Sequence, residues 1–219
     1  MCKTAALASS SAPAAASTSV TEGAATIYFP SEKGVFYNPP QVPNRDLSVL
    51  VLHEFAKAWE QEGIEKAAKA KAKAKASAER KAAQAQEANE GEVDGAPSAK
   101  PAVDDAAASA EGGDAPPKKL RVLDAMTASG LRAIRYSLEV PQVSQVVAND
   151  LEPAALEALR ENLRRNGLTE ERVVPNLGDA VSVMHRSKPP EGERFEVIEL
   201  DPYGTAAPFL DSAMQSVSE

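Results

Sequence analysis

The sequence has one cysteine, Cys2, two histidines and one tryptophan in 219 residues. A single thiol excludes an internal disulfide and a cysteine-based zinc site within the chain, and fits a reducing compartment. His53 and His185 have no metal-ligating partner at a workable spacing, so no metal is expected. No apolar run approaches the roughly 20 residues that cross a bilayer, so no membrane partner is expected. Residues 1–20 lack the apolar centre of a secretory signal, and their one base, Lys3, is too few for an organelle transit peptide. An intracellular location follows as the expectation, with the nucleus ahead of a mitochondrion or plastid. Aromatics are only 5%, and the 43% hydrophobic fraction is inflated by alanine. Large apolar residues with periodicity are confined to about 26–60 and 119–216, which must form the core. The formal charge of −8 argues against whole-molecule attraction to nucleic acid, although a local basic patch can still bind it.

Four regions follow from these gaps. Residues 1–20, rich in Ala and Ser, read as a disordered N-terminus. Residues 21–62 read as a small β/α segment: one or two strands, a turn at Pro39-Pro40, then a helix capped by Asn44 or Asp46 with Leu47, Leu50, Val51, Phe55 and Ala58 on its buried side. Residues 63–118 read as an insertion without large apolar side chains. Its first part, Lys66 to Lys81, alternates Ala with Lys and is at most transiently helical; the remainder mixes Gly, Pro, Ser and acids as a flexible linker. A solvated insertion is the plain reading, and RNA contact by its lysines the sharper one. Residues 119–219 carry the main α/β pattern.

That pattern is organised around Leu120 to Arg135, an apolar run ending in Asp124, small residues, Gly130, and then Leu131, Ile134 and Leu138 at helical spacing. It reads as strand, tight turn, helix. A second strand, Ser144 to Ala148, ends in Asn149-Asp150, placing Asp150 twenty residues after Gly130, the interval at which nucleotide-binding units set a carboxylate against a ribose. Residues 125–135 contain only Gly130, whereas close approach to a pyrophosphate takes three glycines. S-adenosyl-L-methionine, with adenine and ribose but no phosphate, suits a single glycine beside Ala128 and Ser129. A βαβ unit holding no ligand is the competing reading.

A helix from Pro153, stopped at Asn166-Gly167, leads to a third strand at Arg172 to Pro175, then Gly178-Asp179-Ala180 and a short helix. A fourth strand, Phe195 to Leu200, ends in Asp201-Pro202-Tyr203-Gly204, and a last helix begins near Ala206 or Ala207. Four strands alternating with helices predict a parallel sheet with right-handed crossovers. The fourth would be left as an unprotected edge, so the sequence reads as part of a longer protein.

Asp150, Asp179 and Asp201 thus close consecutive strands, and ligands bind outside the carboxyl ends of such strands. Asp150 is suited to ribose hydroxyls, and Asp179 with the backbone of Ala180 to an adenine amine; turn formation or helix capping is the alternative for each. An exocyclic amine on a base is a poor nucleophile because its lone pair is delocalised into the ring. Asp201 beside the carbonyl of Pro202 could accept both amine hydrogens and localise that pair, with Tyr203 offering a stacking face for a base turned out of its helix.

Glu22-Gly23, Val35-Phe-Tyr-Asn-Pro39, Asn44-Arg-Asp-Leu-Ser48, Asp124 to Arg135, Asn149-Asp150, Gly178-Asp-Ala180 and Asp201-Pro-Tyr-Gly204 together resemble the tRNA guanine-26 dimethyltransferase family. The resemblance covers about 20–60 and 119–216. It implies a Rossmann-like class I methyltransferase sheet, here truncated after the fourth strand, with an N-terminal β/α segment and a disordered insertion. It further implies transfer of one or two methyl groups from S-adenosyl-L-methionine to a guanine amine of tRNA. Arg45, Arg132, Asp150, Asp179 and Ala180 would contact the cofactor and Asp201 would be the catalytic carboxylate. A guanidinium grips a carboxylate bidentately, as the methionine tail requires. Whether Arg132 or Arg135, one turn apart, faces the crevice is open. An amino-methyltransferase acting on adenine in DNA or RNA and an inactive cofactor-binding fragment are the rival readings.

Overall fold

The computed structural model describes residues 18–29, 37–89 and 120–218. The described residues up to Ala56 and from Leu120 onward make one compact unit, and the helical residues from Lys57 make a second.

The first unit opens with an antiparallel hairpin, β1 (Thr18–Glu22) and β2 (Ala25–Phe29). β1 starts at Thr18, three residues inside the stretch read as disordered from sequence; residues 1–17 lie outside the described residues. Thr21, Val20 and their neighbours are strand formers once a partner strand is present, which composition alone does not register. The second edge of β2 is covered by side-chain amides instead of a strand. Asn166 Oδ1 accepts from the Thr26 N–H at 2.9 Å, Asn166 Nδ2 donates to the Thr26 carbonyl at 2.8 Å, and Asn162 Oδ1 accepts from the Tyr28 N–H at 2.8 Å. Unpaired strand edges are costly when buried, and these two asparagines satisfy this one.

A single 3-10 turn, Pro39–Gln41, leads into α1 (Val42–Asn89). The two prolines therefore begin helical structure, as proline does in a first turn where no N–H is needed. The buried side of α1 differs from the expected one. Arg45, Val49, Leu52 and Ala56 are buried, whereas Leu47, Leu50, Val51 and Phe55 are 57, 57, 59 and 39% exposed. From Leu47 to Phe55 the apolar residues fall on several sides of the helix, so periodicity offered two stripes, and the polar anchors chose between them. Arg45 reaches Glu22, Asp46 reaches Arg135 and Ser48 reaches Arg132, which turns the 45-49-52-56 stripe inward.

α1 then continues to Asn89 through residues expected to be at most transiently helical. Ala, Lys, Gln and Glu carry high helix propensity and no Gly or Pro interrupts residues 64–89, so nothing local ends the helix. The linker expected after Glu90 lies outside the described residues.

The remaining elements are β3 (Leu120–Asp124), α2 (Leu131–Glu139), β4 (Val143–Asp150), α3 (Pro153–Arg165), β5 (Val173–Leu177), α4 (Ala180–Arg186), β6 (Val197–Glu199) and α5 (Ala207–Ser216). The sheet is parallel with order β5-β4-β3-β6, so the chain reverses direction of travel between β3 and β6, as the sequence pattern predicts. Pro175 is tolerated because β5 is an edge strand. β6 is shorter than expected. Phe195 turns its backbone away from the sheet to exchange hydrogen bonds with residues 216–218, its N–H donating to the Ser216 carbonyl and its carbonyl accepting from Ser218. The core beneath β3 and α4 is built from Leu123, Ala125, Val183, Met184 and Phe195.

Gly130 has a structural task. Its φ is +82°, and a Cβ there would collide with Leu159 of α3. The glycine thus permits close packing of α2 on α3, in addition to any room it leaves for a ligand. Gly130→Ala combines left-handed strain with an overpacked contact and is expected to cost about 3 kcal/mol in a denaturant titration. An unchanged midpoint would mean that Leu159 moves aside freely.

Candidate functional site: a cavity at the carboxyl ends of the strands

The loops after β3, β4, β5 and β6 open into one cavity of about 650 Å³, within the range of small-molecule sites. Asp150, Asp179 and Asp201, which close three different strands or their loops, all line it. So do Ala180, Pro202 and Tyr203, and from the N-terminal segment and α2, Arg45 and Arg132. Arg135 does not; it is held by Glu139 one turn along, with Nε–Oε1 at 2.8 Å, and by Asp46 at 2.6 Å. The choice left open by sequence falls to Arg132.

The cavity wall is fixed by polar ties between strand ends. Asn149, the penultimate residue of β4, donates through Nδ2 to the carbonyls of Ala125 and Gly178, at 3.0 and 2.9 Å, and its Oδ1 accepts from Asn176 at 2.6 Å. It joins the loops after β3 and β5. Asp150 Oδ2 accepts from the Ala128 N–H at 2.8 Å, and Oδ1 from the Glu152 N–H at 3.0 Å. Ala128 sits at φ +47°, a conformation that alanine seldom adopts, and the Asp150 contact holds it there. Each Asp150 oxygen retains a further lone pair for a ligand hydroxyl. Asp179 is the N-cap of α4: its Oδ1 accepts from the Ser182 N–H at 2.8 Å, and this bond holds its carboxyl below the usual carboxylate range. The capping alternative therefore describes Asp179, while the residue still borders the cavity.

Both arginines are already engaged. Arg45 is gripped bidentately by Glu22, Nε–Oε2 at 2.8 Å and Nη2–Oε1 at 2.5 Å, and its guanidinium lies over Tyr37. Burial would raise the Glu22 pKa, but hydrogen bonds from Arg45 and Tyr37 outweigh it and hold the group low. Arg132, also buried, donates Nη2–H to Asp201 Oδ2 at 2.7 Å and Nη1–H to Ser48 Oγ at 2.9 Å, with Glu199 Oε1 at 3.4 Å. Ser48 in turn donates to Glu199 at 3.2 Å. Asp201 is half-exposed and Tyr203 is 85% exposed, both at the cavity's open side.

Beneath this layer lies a residue that sequence reasoning passed over. Asp124, the last of β3, is fully buried and accepts from Thr127 Oγ1 at 2.7 Å. Burial, reinforced by the negative charges of Glu199 and Asp201, pushes its pKa up to about 7, against the opposing pull of Thr127 and Arg132. Burial and the charges of Glu199 and Asp124 likewise push the Tyr136 phenol far up. Glu199 was available to a closer reading, since residues two apart on a strand share a face and Asp201 follows it at that interval. The long-range ties of Asn149 and Ser48 had no local signal.

Among the described residues, no group of three or more His, Cys, Asp or Glu could hold a metal ion, and no helix is long and apolar enough to cross a membrane.

The sequence profile of the family TRM, N2,N2-dimethylguanosine tRNA methyltransferase, matches residues 15–219. The tRNA (guanine(26)-N(2))-dimethyltransferase of Mus musculus is 42% identical over 209 residues, which cover 94% of this chain and 30% of the mouse protein. The mitochondrial enzyme of the same name from Saccharomyces cerevisiae is 42% identical over 200 residues, covering 91% of this chain and 33% of the yeast protein. The structure of Trm1 from Pyrococcus horikoshii, solved with S-adenosyl-L-methionine, superposes with a TM-score of 0.56 at 25% identity, over 91% of this chain and 40% of that one. The chain thus spans about a third of the length of the curated relatives it matches. With a profile match that takes in the hairpin, the strand-end carboxylates and the Asp201-Pro-Tyr-Gly204 loop alike, the chain belongs to the N2,N2-dimethylguanosine tRNA methyltransferase family.

Proposed function

We propose that the cavity binds S-adenosyl-L-methionine and that Asp201 receives the exocyclic amine of guanine 26 in tRNA, so that the chain carries the methyl-transfer site of a tRNA guanine N2-methyltransferase. One observation carries the reading: Asp150, Asp179 and Asp201 border a single cavity together with Arg132. The donor set suits this cofactor. Two guanidiniums offer an anion site for a carboxylate, Asp150 offers acceptors for ribose hydroxyls, and the loop after β3 has one glycine and a side-chain carboxylate where a pyrophosphate site would need open backbone.

The cofactor, when bound, supplies an electrophilic methyl on a sulfonium. This chain's residues do the rest. Asp201 accepts a hydrogen bond from the guanine amine, drawing its lone pair out of the ring, and the Pro202 carbonyl takes the second hydrogen. As the N–CH3 bond forms and the S–CH3 bond breaks, the amine becomes cationic and its proton passes to Asp201 Oδ. Tyr203, exposed at the cavity mouth, offers its face to the flipped base. Arg132 holds the anionic end of the cofactor, and Ser48 and Glu199 hold Arg132.

The test pairs calorimetry with S-adenosyl-L-methionine and labelled-methyl incorporation into unmodified tRNA and into the same tRNA with guanine 26 replaced. Binding with incorporation into the first tRNA alone is expected. Equal incorporation into both would remove the guanine assignment, and no cofactor binding would remove the site.

A further inference from the structure

The described part of the second compact unit is helical, and its residues Lys66 to Lys81 are all exposed. They hold seven basic residues against one acid, Glu79, inside a chain whose formal charge is −8. At 3.6 residues per turn these charges are not spread evenly. Lys66, Lys69, Lys73 and Arg80 fall within an arc of about 60°, with Lys81 about 60° further round, whereas Lys71 and Lys75 point to the other side. At 1.5 Å per residue the stripe from Lys66 to Arg80 is about 21 Å long. Its neighbours leave it positive: Lys66 pairs with Glu62 at 2.9 Å, and Glu79, which lies off the stripe, is 3.9 Å from Lys75.

We propose that this stripe binds the phosphate backbone of the tRNA substrate. The inference rests on the proposed function for its choice of RNA, and on charge complementarity for the contact. Between Glu65 and Lys81 the helix has no apolar side chain larger than alanine, so it lacks the face that an amphipathic helix lays into a bilayer. It equally lacks the aromatic or aliphatic anchors that fix a protein interface. Point charges on flexible stems, separated by alanine and aligned along one side of a rod, suit a regular polyanion.

The experiment uses the 219-residue chain with Lys66, Lys69, Lys73 and Arg80 changed to Gln, a substitution that preserves helix propensity. A Lys71→Gln, Lys75→Gln pair serves as the control from the other side. Binding of unmodified tRNA is measured across a salt series, with circular dichroism to confirm the helix. The stripe variant is expected to bind about tenfold more weakly at moderate salt, with a log–log salt slope shallower by about 3, while the control changes by less than twofold. Equal slopes for wild type and variant would overturn the proposal. So would an absence of tRNA binding by the wild type, the same loss per charge in the control, or binding to phosphatidylserine vesicles in place of tRNA. Calorimetry with S-adenosyl-L-methionine on the same proteins separates the two readings. Loss of cofactor binding by the wild type counts against the methyl-transfer site, and cofactor binding with unchanged tRNA affinity in the variant counts against the stripe alone.

Discussion

Asp201→Asn is expected to reduce methyl transfer by roughly 10²–10⁴-fold, the usual contribution of a positioned proton acceptor, while tightening S-adenosyl-L-methionine binding about threefold to fivefold. The loss follows from chemistry: the amide is a poorer acceptor and cannot take the proton that the methylated amine sheds. The gain follows from geometry. Arg132 Nη2, which the proposal assigns to the methionine carboxylate, donates to Asp201 Oδ2 at 2.7 Å in this structure. A cofactor carboxylate must displace or share that bond, so Asp201 competes with it. Removing the charge removes the competitor, and a half-exposed ion pair of this kind is worth up to about 1 kcal/mol, which sets the size of the gain. On that proposed assignment the same competition would order binding, with the cofactor engaging Arg132 first and freeing Asp201 for the incoming amine. Calorimetry and single-turnover transfer on the two proteins check both halves. Weaker cofactor binding in the variant would mean that Asp201 positions Arg132 instead of competing for its ligand.

The parts of this arrangement that the sequence disclosed are those with local causes. Strands leading to Asp150 and Asp201 are written in apolar runs followed by turn residues, and strand order follows from crossover handedness and the position of the switch point. The lone Gly130 was visible, but not its collision with Leu159, because that contact joins two helices 29 positions apart in the chain. α1 shows the same limit. Its apolar residues fill two stripes, and only Glu22, Arg135 and Arg132, distant in sequence, decide which stripe turns inward. Arg132 and Arg135 could have been separated by a local rule, since Glu139 stands four residues after Arg135 and claims it as an i,i+4 partner. Asp179 served as a cap because a short helix starts beside it, which its neighbours Gly178 and Ala180 already suggested.

Asp124→Asn is expected to stabilise the fold, by an amount that grows with pH. The carboxyl is fully buried, and its pKa lies near 7 in the folded chain against an ordinary value of 3.8. Below about pH 4 the group is protonated in both states and the wild type pays nothing for it. Between about pH 4 and 7 the unfolded chain releases the proton while the folded chain keeps it, so wild-type stability falls by about 1.4 kcal/mol per pH unit, to a total on the order of 4 kcal/mol, and is level above that. Asparagine does not titrate, and its carbonyl can accept the Thr127 hydroxyl as the carboxyl does. Denaturant midpoints from pH 4 to 8 should therefore diverge between the two proteins, and parallel curves would show that Asp124 is ionised throughout. The cost has a use at the site. Asp124, Glu199 and Asp201 surround the one guanidinium of Arg132, an excess of two negative charges when all three are ionised. A proton on Asp124 halves that excess and so weakens the repulsion that an anionic carboxylate would meet at Arg132; the variant, neutral at every pH, should therefore also hold its cofactor affinity above pH 7 where the wild type weakens.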